Sequence, residues 1–314
     1  MARIWRGGCR NGSRALSLQM RRADSPPDFA QATRAQALRE GRAYLRGHCV
    51  ESADEDARRL LLDACGIDPV SLVTEAATLV DGAQAVAYRG RLERRARGEP
   101  TSRIVGRRAF WTLDLDVRPD VLDPRGDTEA LVRLAIRVAA QRGATVEQLL
   151  DLGCGSGAVI CALLCELPGA FGVGVDLSRS ACLATRGNLA RCGLDNRSAV
   201  VRGRWLDAVG AAFDLIVSNP PYISTAKIAG LDREVRDHDP ALALDGGPDG
   251  LDAYRAIFET APRMLSPSGV VAVEFGIGQA PSVIEIARTF GLVPIDRESD
   301  LGGRERAVAL VLSS

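Results

Sequence analysis

Lysine is nearly absent from the sequence: Lys227 is the only lysine among 40 basic residues, and 40 acidic residues bring the formal net charge to zero. This balance gives no overall attraction to nucleic acid or to an anionic membrane, so neither is expected as a partner. With two histidines and no Cys-x-x-Cys pair among the eight cysteines, we expect no metal site. No apolar run approaches the roughly 18 residues of a membrane span, and cysteines within apolar runs suit a reducing compartment, which predicts a soluble, cytoplasmic protein.

The N-terminal third of the chain contains an arginine-rich segment followed by helical patterns. Residues 1–33 carry six arginines before the first acid, Asp24, a composition that predicts a disordered extension, with a transit peptide as the alternative. Residues 34–100 place apolar side chains at helical spacing, which predicts a small helical bundle. We interpret this bundle as a domain that docks a protein substrate; a stabilising cap is the alternative.

A β-hairpin linker is predicted between the bundle and the rest of the chain. Gly98-Glu99-Pro100 ends the helical pattern, and residues 101–122 then alternate apolar and polar side chains from Ile104 onward. The turn Asp123-Pro124-Arg125-Gly126-Asp127-Thr128-Glu129 follows. Either Asp127 or Thr128 is expected to cap the next helix, at residues 130–141.

Residues 123–314 alternate strand and helix patterns, which predicts an α/β domain with helices on both faces of a mostly parallel sheet. Only Asp300-Leu301-Gly302-Gly303-Arg304 separates the last two strands. Because this segment is too short for a parallel crossover, the last strand is expected to be antiparallel. Helices are expected at about 157–167, 179–192, 251–265 and 279–290, and strands at 148–152, 171–176, 198–202, 213–218, 269–275, 292–296 and 306–312.

A glycine-rich turn follows the first of these strands. The run Gly153-Cys154-Gly155-Ser156-Gly157 allows backbone N–H groups to approach a ligand at a helix N-terminus, although such a turn alone also suits a dinucleotide. Two acids favour S-adenosylmethionine: Asp176, at the second strand end, is expected to accept both ribose hydroxyls, and Asp151 to orient the ammonium of the methionine portion. Trp205, after the third strand, is expected to stack on adenine. A helix cap is the alternative for Asp176, and a core position for Trp205.

The segment Ser218-Asn219-Pro220-Pro221-Tyr222 ends a buried strand with two prolines, which exclude both strand pairing and a helix. The Pro220 carbonyl and the Asn219 side-chain amide are therefore expected at the carboxyl edge of the sheet, where open α/β sheets bind ligands. Two such oxygens can accept both N–H groups of a planar NH2 group and leave its lone pair facing an electrophile. A turn that merely ends a strand is the alternative. Tyr222 is expected to wall the pocket.

Taken together, these motifs resemble a known family. Asp-x-Gly-x-Gly-x-Gly, an acid at the second strand and Asn-Pro-Pro-Tyr after the fourth are similar to amino-methyltransferases that act on planar nitrogens. Four further stretches make the match close, so that residues 35–314 resemble the peptide chain release factor N5-glutamine methyltransferases. These stretches are Gly98-Glu99-Pro100, Pro124-Arg125-Gly126-Asp127-Thr128-Glu129, Leu244-Asp245-Gly246-Gly247-Pro248-Asp249-Gly250-Leu251 and Asp300-Leu301-Gly302-Gly303-Arg304-Glu305-Arg306.

The resemblance implies a Rossmann-like class I methyltransferase sheet whose last strand is antiparallel, joined to the helical bundle by the hairpin. It implies S-adenosylmethionine as cofactor, held by the Gly153 to Gly157 loop, Asp176 and Trp205, with Asn219 beside it. The implied substrate is the glutamine of the Gly-Gly-Gln loop of release factors, bound and methylated at Asn219, Pro220, Pro221 and Tyr222. A monomer is expected.

The chain departs from the family pattern at a few positions. Gly126 stands where the family has proline, Asp123 where an aliphatic residue is usual, and Arg204 and Ala109 where an acid is frequent. Two other substrates remain open: a ribosomal-protein glutamine, and the N6 amine of adenine in DNA or RNA, which is equally planar. Asp127-Thr128-Glu129 favours release factors, and balanced charge in the first domain argues against nucleic acid. A non-enzymatic scaffold with the cofactor fold is a further alternative.

Overall fold

The structure is a computed structural model that describes residues 25–143, 145–208, 210 and 212–313. The chain divides into two compact units between Ala96 and Arg97. The predicted disordered extension falls mostly on residues 1–24, which lie outside the described residues. None of the described helices combines the length and apolar content needed to cross a membrane.

The first unit contains the helices α1 (Arg34–Gly47), α2 (Ala53–Cys65), α3 (Pro69–Thr74) and α4 (Gly82–Ala96). Helix α1 begins with a capping box, in which Thr33 and Gln36 each accept the other's backbone N–H. Helices α1, α2 and α4 pack around Tyr88, which is fully buried and donates a hydrogen bond of 3.1 Å to the Ala57 carbonyl. The predicted helical bundle is confirmed.

The second unit begins with a short helix and a hairpin: α5 (Thr101–Val105), β1 (Arg107–Phe110) and β2 (Leu113–Asp116). The two strands pair antiparallel and turn at Trp111 and Thr112. The hairpin prediction is confirmed, but its start is wrong: Ile104 lies in α5 and not in a strand. The fixed φ of Pro100, −59°, places it at the N-cap of this helix, and Gly106 ends the helix in the left-handed conformation.

In the described part of the chain, the large sheet has seven strands in the order β5-β4-β3-β6-β7-β9-β8. Strand β9 is antiparallel to both of its neighbours, and it lies between β7 and β8, whereas the other neighbouring pairs are parallel. This confirms the predicted fold class and the reversed last strand. The strands are β3 (Gln148–Leu152), β4 (Phe171–Asp176), β5 (Ser198–Arg202), β6 (Phe213–Ser218), β7 (Leu265–Glu274), β8 (Leu292–Ser299) and β9 (Glu305–Leu312).

Helices cover both faces of this sheet because successive strand residues point to opposite sides. Leu149 and Leu215 pack against one set of helices, and Leu150 and Ile216 against the other. The helices are α6 (Glu129–Gln141), α7 (Ala158–Glu166), α8 (Arg179–Arg191), α9 (Thr225–Ile228), α10 (Arg233–His238), α11 (Ala241–Leu244), α12 (Asp252–Met264) and α13 (Ala280–Thr289). Because β5, β4, β3 and β6 are adjacent and parallel, their carboxyl ends form one continuous edge.

Candidate active site

A cavity of about 710 Å³ opens at this carboxyl edge, within the second unit. Each of the four parallel strands contributes the residues that follow it: Gly153 and Gly155 after β3, Asp176 at the end of β4, Trp205 after β5 and Asn219 after β6. Further residues that line the cavity are Pro240, Ala241, Leu242, Ala243, Asp245, Gly246 and Gly247. The structure thus gathers on one cavity residues that the sequence places more than 60 positions apart.

The glycine turn is fixed to the neighbouring strand by its own backbone. The N–H of Gly153 donates to the Val175 carbonyl over 2.8 Å, and the N–H of Gly155 donates to Oδ2 of Asp176 over 3.0 Å. Gly157 has a φ of +83°, and a Cβ there would lie 3.0 Å from Thr185. A larger residue would therefore strain the backbone and collide with α8. The turn leads directly into α7. The backbone N–H groups and the dipole at the N-terminus of a helix favour polar or anionic groups beside it.

Asp176 is held by two backbone donors. Its Oδ1 accepts from the Ser178 N–H over 2.8 Å and its Oδ2 from the Gly155 N–H, so each oxygen keeps capacity for one further donor. Burial raises the pKa of this carboxyl, and backbone hydrogen bonds from Ser178, Gly155 and Leu177 oppose the rise. The helix-cap alternative is not what the structure has, because the Ser178 hydroxyl caps α8 by accepting from Ala181 N–H.

The remaining polar residues of the loop lie beneath the cavity rather than on its surface. Asp151 is 1% exposed and accepts the Ile160 N–H over 3.2 Å, which ties the strand end to the first turn of α7. Burial raises its pKa to about 7. Cys154 and Ser156 are also buried; Cys154 accepts from the Thr185 hydroxyl, and the Ser156 carbonyl accepts from Asn188. The side chains of Asp151 and Cys154 and the backbone carbonyl of Ser156 thus hold the loop in shape. Contact between Asp151 and an ammonium group stays a prediction.

Trp205 combines an unusual backbone with a position over the glycine turn. Its φ of +47° is rare for a bulky residue and marks a locally strained site. A carbon of its ring comes within 3.7 Å of an ideal Cβ position at Gly153. The ring is half-buried against the core cluster that contains Leu152 and Val175, and it also lines the cavity. Both the stacking and the core interpretation therefore describe part of its surroundings.

Asn219 follows directly on Ser218, whose hydroxyl bonds to the Leu152 carbonyl over 2.7 Å and so locks the end of β6 to β3. The Asn219 Nδ2 donates a hydrogen bond of 3.0 Å to Oγ1 of Thr128. Asn219 and Pro221 line the cavity, while Pro220 is buried in the turn. The predicted edge position of this turn is what the structure has.

Tyr222 does not line this cavity. Its ring lies against Gly276, and burial together with the charge of Glu274 raises the pKa of its hydroxyl to about 12. The Tyr222 carbonyl accepts from Nε2 of Gln279 over 3.0 Å. Gly250, with a φ of +81°, packs so closely that a Cβ would lie 2.4 Å from the same carbonyl. The turn is thus enclosed by neighbouring backbone, and the expected pocket wall at Tyr222 stays a prediction.

The sequence reasoning missed two contributions to the site. Thr128 was expected as a possible helix cap; it sits at the N-cap of α6 but makes no capping bond, and its hydroxyl instead accepts from Asn219. Glu274, the last residue of β7, is 1% exposed, and the Thr128 hydroxyl lowers the pKa of its carboxyl against the effect of burial. An acid that ends an apolar strand was a signal for this site, by the same edge argument that identified Asp176.

Among the residues that the structure describes, no group of three or more His, Cys, Asp and Glu side chains could hold a metal ion. The cavity instead fits S-adenosylmethionine. Asp176 offers two partly satisfied oxygens for hydroxyl donors, and Gly153 and Gly155 bring backbone close to the cavity floor. Trp205 offers a flat apolar surface beside them.

Comparison with known proteins agrees with this site. Residues 36–106 match the family model of the PrmC N-terminal domain, and residues 132–234 match that of the methyltransferase small domain. The release factor glutamine methyltransferase of Bradyrhizobium diazoefficiens is 47% identical over 270 residues, which cover 85% of this chain and 91% of that protein. The release factor glutamine methyltransferase of Rhodospirillum rubrum is 44% identical, and the match covers 82% of this chain and 79% of that protein.

A solved structure shows the shared fold. The hMettl16 catalytic domain superposes with a TM-score of 0.51 at 16% sequence identity and covers 71% of this chain and 81% of that one. The family resemblance predicted from the motifs is confirmed by the sequence relatives. The chain belongs to the release factor glutamine methyltransferases and is an S-adenosylmethionine-dependent enzyme.

Proposed function

We propose that this protein methylates the side-chain amide nitrogen of the glutamine in the Gly-Gly-Gln loop of peptide chain release factors. Family membership supports this substrate. The observation that carries the proposal is that Asn219 lines the same cavity as Gly153, Gly155 and Asp176. A group that can accept the N–H bonds of a carboxamide thus stands beside the cofactor cradle.

The chemical problem is the weak nucleophilicity of an amide nitrogen, whose lone pair is delocalised into its carbonyl. Oδ1 of Asn219 and the carbonyl of Pro220 accept the two N–H groups of the substrate glutamine, which raises electron density on nitrogen and fixes its direction. S-adenosylmethionine supplies the methyl group. The proton leaves after transfer, when the nitrogen is acidic, so no general base is required. Positioning therefore supplies most of the rate.

The cofactor is held by the residues of the cavity. Asp176 binds the ribose hydroxyls, the loop Gly153 to Gly157 supplies close backbone, and Trp205 stacks on adenine. Asp151, Cys154 and Ser156 act mainly by keeping that loop in shape. Pro221 and Tyr222 shape the turn that presents Asn219.

The helical bundle, residues 34–100, serves in this proposal to dock the release factor. The protein acts as a monomer in this proposal. Balanced charge supports a protein substrate without direct nucleic-acid contact. The described cysteines are free thiols, which suits the cytoplasm.

The direct test is incubation with labelled S-adenosylmethionine and a release factor, beside a copy whose Gly-Gly-Gln glutamine is changed to alanine. We expect label on the unchanged factor alone. Label on a ribosomal protein or on adenine in DNA or RNA, with none on the release factor, would contradict the proposal.

A further inference from the structure

The side-chain amide of Asn219 has a donating end and an accepting end, and only the accepting end can bind the N–H groups of a substrate amide. In the structure the donating end is used elsewhere, because Nδ2 donates to Oγ1 of Thr128 over 3.0 Å. Oδ1 lies at the other end of the same planar group. The group that keeps Nδ2 hydrogen-bonded to Thr128 therefore decides whether Oδ1 is available to accept the N–H groups of a substrate carboxamide.

The Thr128 hydroxyl has one proton to donate. Its second neighbour, the Glu274 side chain, decides the direction in which the hydroxyl donates. Thr128 is 4% exposed, and its hydroxyl lowers the pKa of the Glu274 carboxyl, the effect of a hydroxyl that donates toward the ionised group. Above its raised pKa of about 7, the Glu274 carboxylate is ionised and has no proton to donate, so Thr128 must donate to it. The lone pairs of Oγ1 then face Asn219, so the Asn219 amide can bond to Oγ1 only through the N–H groups of Nδ2. The carboxylate thus sets the direction of the whole chain of hydrogen bonds.

The backbone places Glu274 where it can do this. Ser218 of β6 pairs with Val273 of β7, so Asn219 and Glu274 occupy the next position on neighbouring strands. Glu274 is 1% exposed, and within the described residues its Oε2 has no hydrogen-bond partner. A buried, incompletely paired carboxyl group destabilises a fold, so its presence beside Asn219 indicates a use other than stability.

We infer that Thr128 and Glu274 are positioning residues for methyl transfer: Glu274 orients the Thr128 hydroxyl, which holds the Asn219 amide with its oxygen available to the substrate nitrogen. This inference rests on the proposed function. It assigns no contact with substrate to either residue, since both act through Asn219.

Three threonine variants test the inference. Thr128→Val keeps the side-chain shape and removes the hydroxyl, Thr128→Ser keeps the hydroxyl, and Thr260→Val removes a hydroxyl in α12 that bonds only along its own helix. We expect Thr128→Val to lower kcat by about 10²-fold, the loss typical of a misplaced reacting group. Thr128→Ser and Thr260→Val should both stay within about threefold of wild type. Cofactor Kd, measured by calorimetry, should change little in all three.

A second readout does not depend on activity. The side-chain amide protons of Asn219, assigned by their absence from the spectrum of Asn219→Asp, should exchange with solvent at least about tenfold faster in Thr128→Val, because their acceptor is lost. Glu274→Gln should also lower kcat, since a carboxamide can donate or accept and no longer sets the direction.

The possible outcomes distinguish failure of this inference from failure of the proposed function. Wild-type kcat in both Thr128→Val and Glu274→Gln, or unchanged amide exchange in Thr128→Val, would overturn the inference. Equal loss of kcat in Thr128→Val and Thr128→Ser would overturn it as well, because the hydroxyl would then not be what matters. Absence of release factor labelling by the wild type would instead overturn the proposed function, and the amide-exchange experiment would still decide the orientation of Asn219.

Discussion

The carboxylate of Asp176 and the backbone of Gly155 are joined by a hydrogen bond of 3.0 Å across the ends of two neighbouring strands. The same carboxylate accepts from Ser178, so one acidic side chain ties the glycine turn to the start of α8. The residue thereby shapes the cavity while its remaining lone pairs stay available for hydroxyl donors. Cofactor binding and the geometry of the loop consequently depend on the same group.

Replacing Asp176 with alanine should weaken cofactor binding by about 10- to 100-fold, since two hydroxyl acceptors and one support of the loop are lost together. Calorimetric titration with S-adenosylmethionine measures this. Asp207→Ala, an exposed acid shortly after Trp205, is the matched control and should bind normally. Equal affinity in the two variants would contradict the role of Asp176.

Gly157→Ala should destabilise the fold by about 1–3 kcal/mol, because its φ of +83° disfavours a side chain and the new Cβ would lie 3.0 Å from Thr185. Gly187→Ala, in the middle of α8 with no atom within 4 Å of the new Cβ, should instead stabilise by about 0.5–1 kcal/mol. Urea unfolding of both variants measures the difference. Similar destabilisation by both changes would rule out the steric explanation.

Asp239 accepts from Arg103 over 2.9 Å and also pairs with Arg125, and the Arg103 and Asp239 side chains are 5% and 2% exposed. Asp239→Ala should cost about 3–5 kcal/mol of stability, because it leaves a buried guanidinium without its carboxylate. Cofactor affinity should also fall, since the wall of the cavity begins at the next residue, Pro240. Asp237→Ala, at an exposed position of α10, should change stability by no more than about 0.5 kcal/mol. Thermal unfolding with and without cofactor distinguishes these effects.

Burial raises the pKa of Glu274 from 4.5 to about 7, against the opposing effects of Thr128 and Arg306. The folded state therefore holds this proton more tightly than the unfolded state, and the group's contribution to stability is lost as pH rises from about 4.5 to above 7. Glu274→Gln does not titrate, so its free energy of unfolding relative to wild type should rise by about 2–3 kcal/mol between pH 4 and pH 8.

Denaturant unfolding of wild type and Glu274→Gln at several pH values gives this difference. Glu259→Gln, an exposed glutamate of α12, controls for the loss of one carboxylate. A stability difference between Glu274→Gln and wild type that stays constant from pH 4 to pH 8 would show that Glu274 does not titrate as its burial requires.

Local patterns were sufficient for most of the second unit. The strands at 148–152, 171–176, 198–202 and 213–218 coincide with β3 to β6, because apolar runs bounded by glycine, proline and acids have few other ways to fold. The same patterns place Asp176 and Asn219 at strand ends, and parallel strands bring such ends to one edge. The prediction that the hairpin begins at Ile104 was wrong, because one proline at a helix start outweighs a short alternating pattern.

The amino-acid order determined the fold class, the order of strands and helices, the glycine turn and the family, since each depends on spacing within a few residues or on short motifs. Only the tertiary structure decided that β9 lies between β7 and β8, that Asp151 lies beneath the cavity, and that Thr128 meets Asn219 across 91 positions of the chain. Such contacts depend on how distant elements pack, and no local periodicity specifies which distant hydroxyl a buried amide will meet.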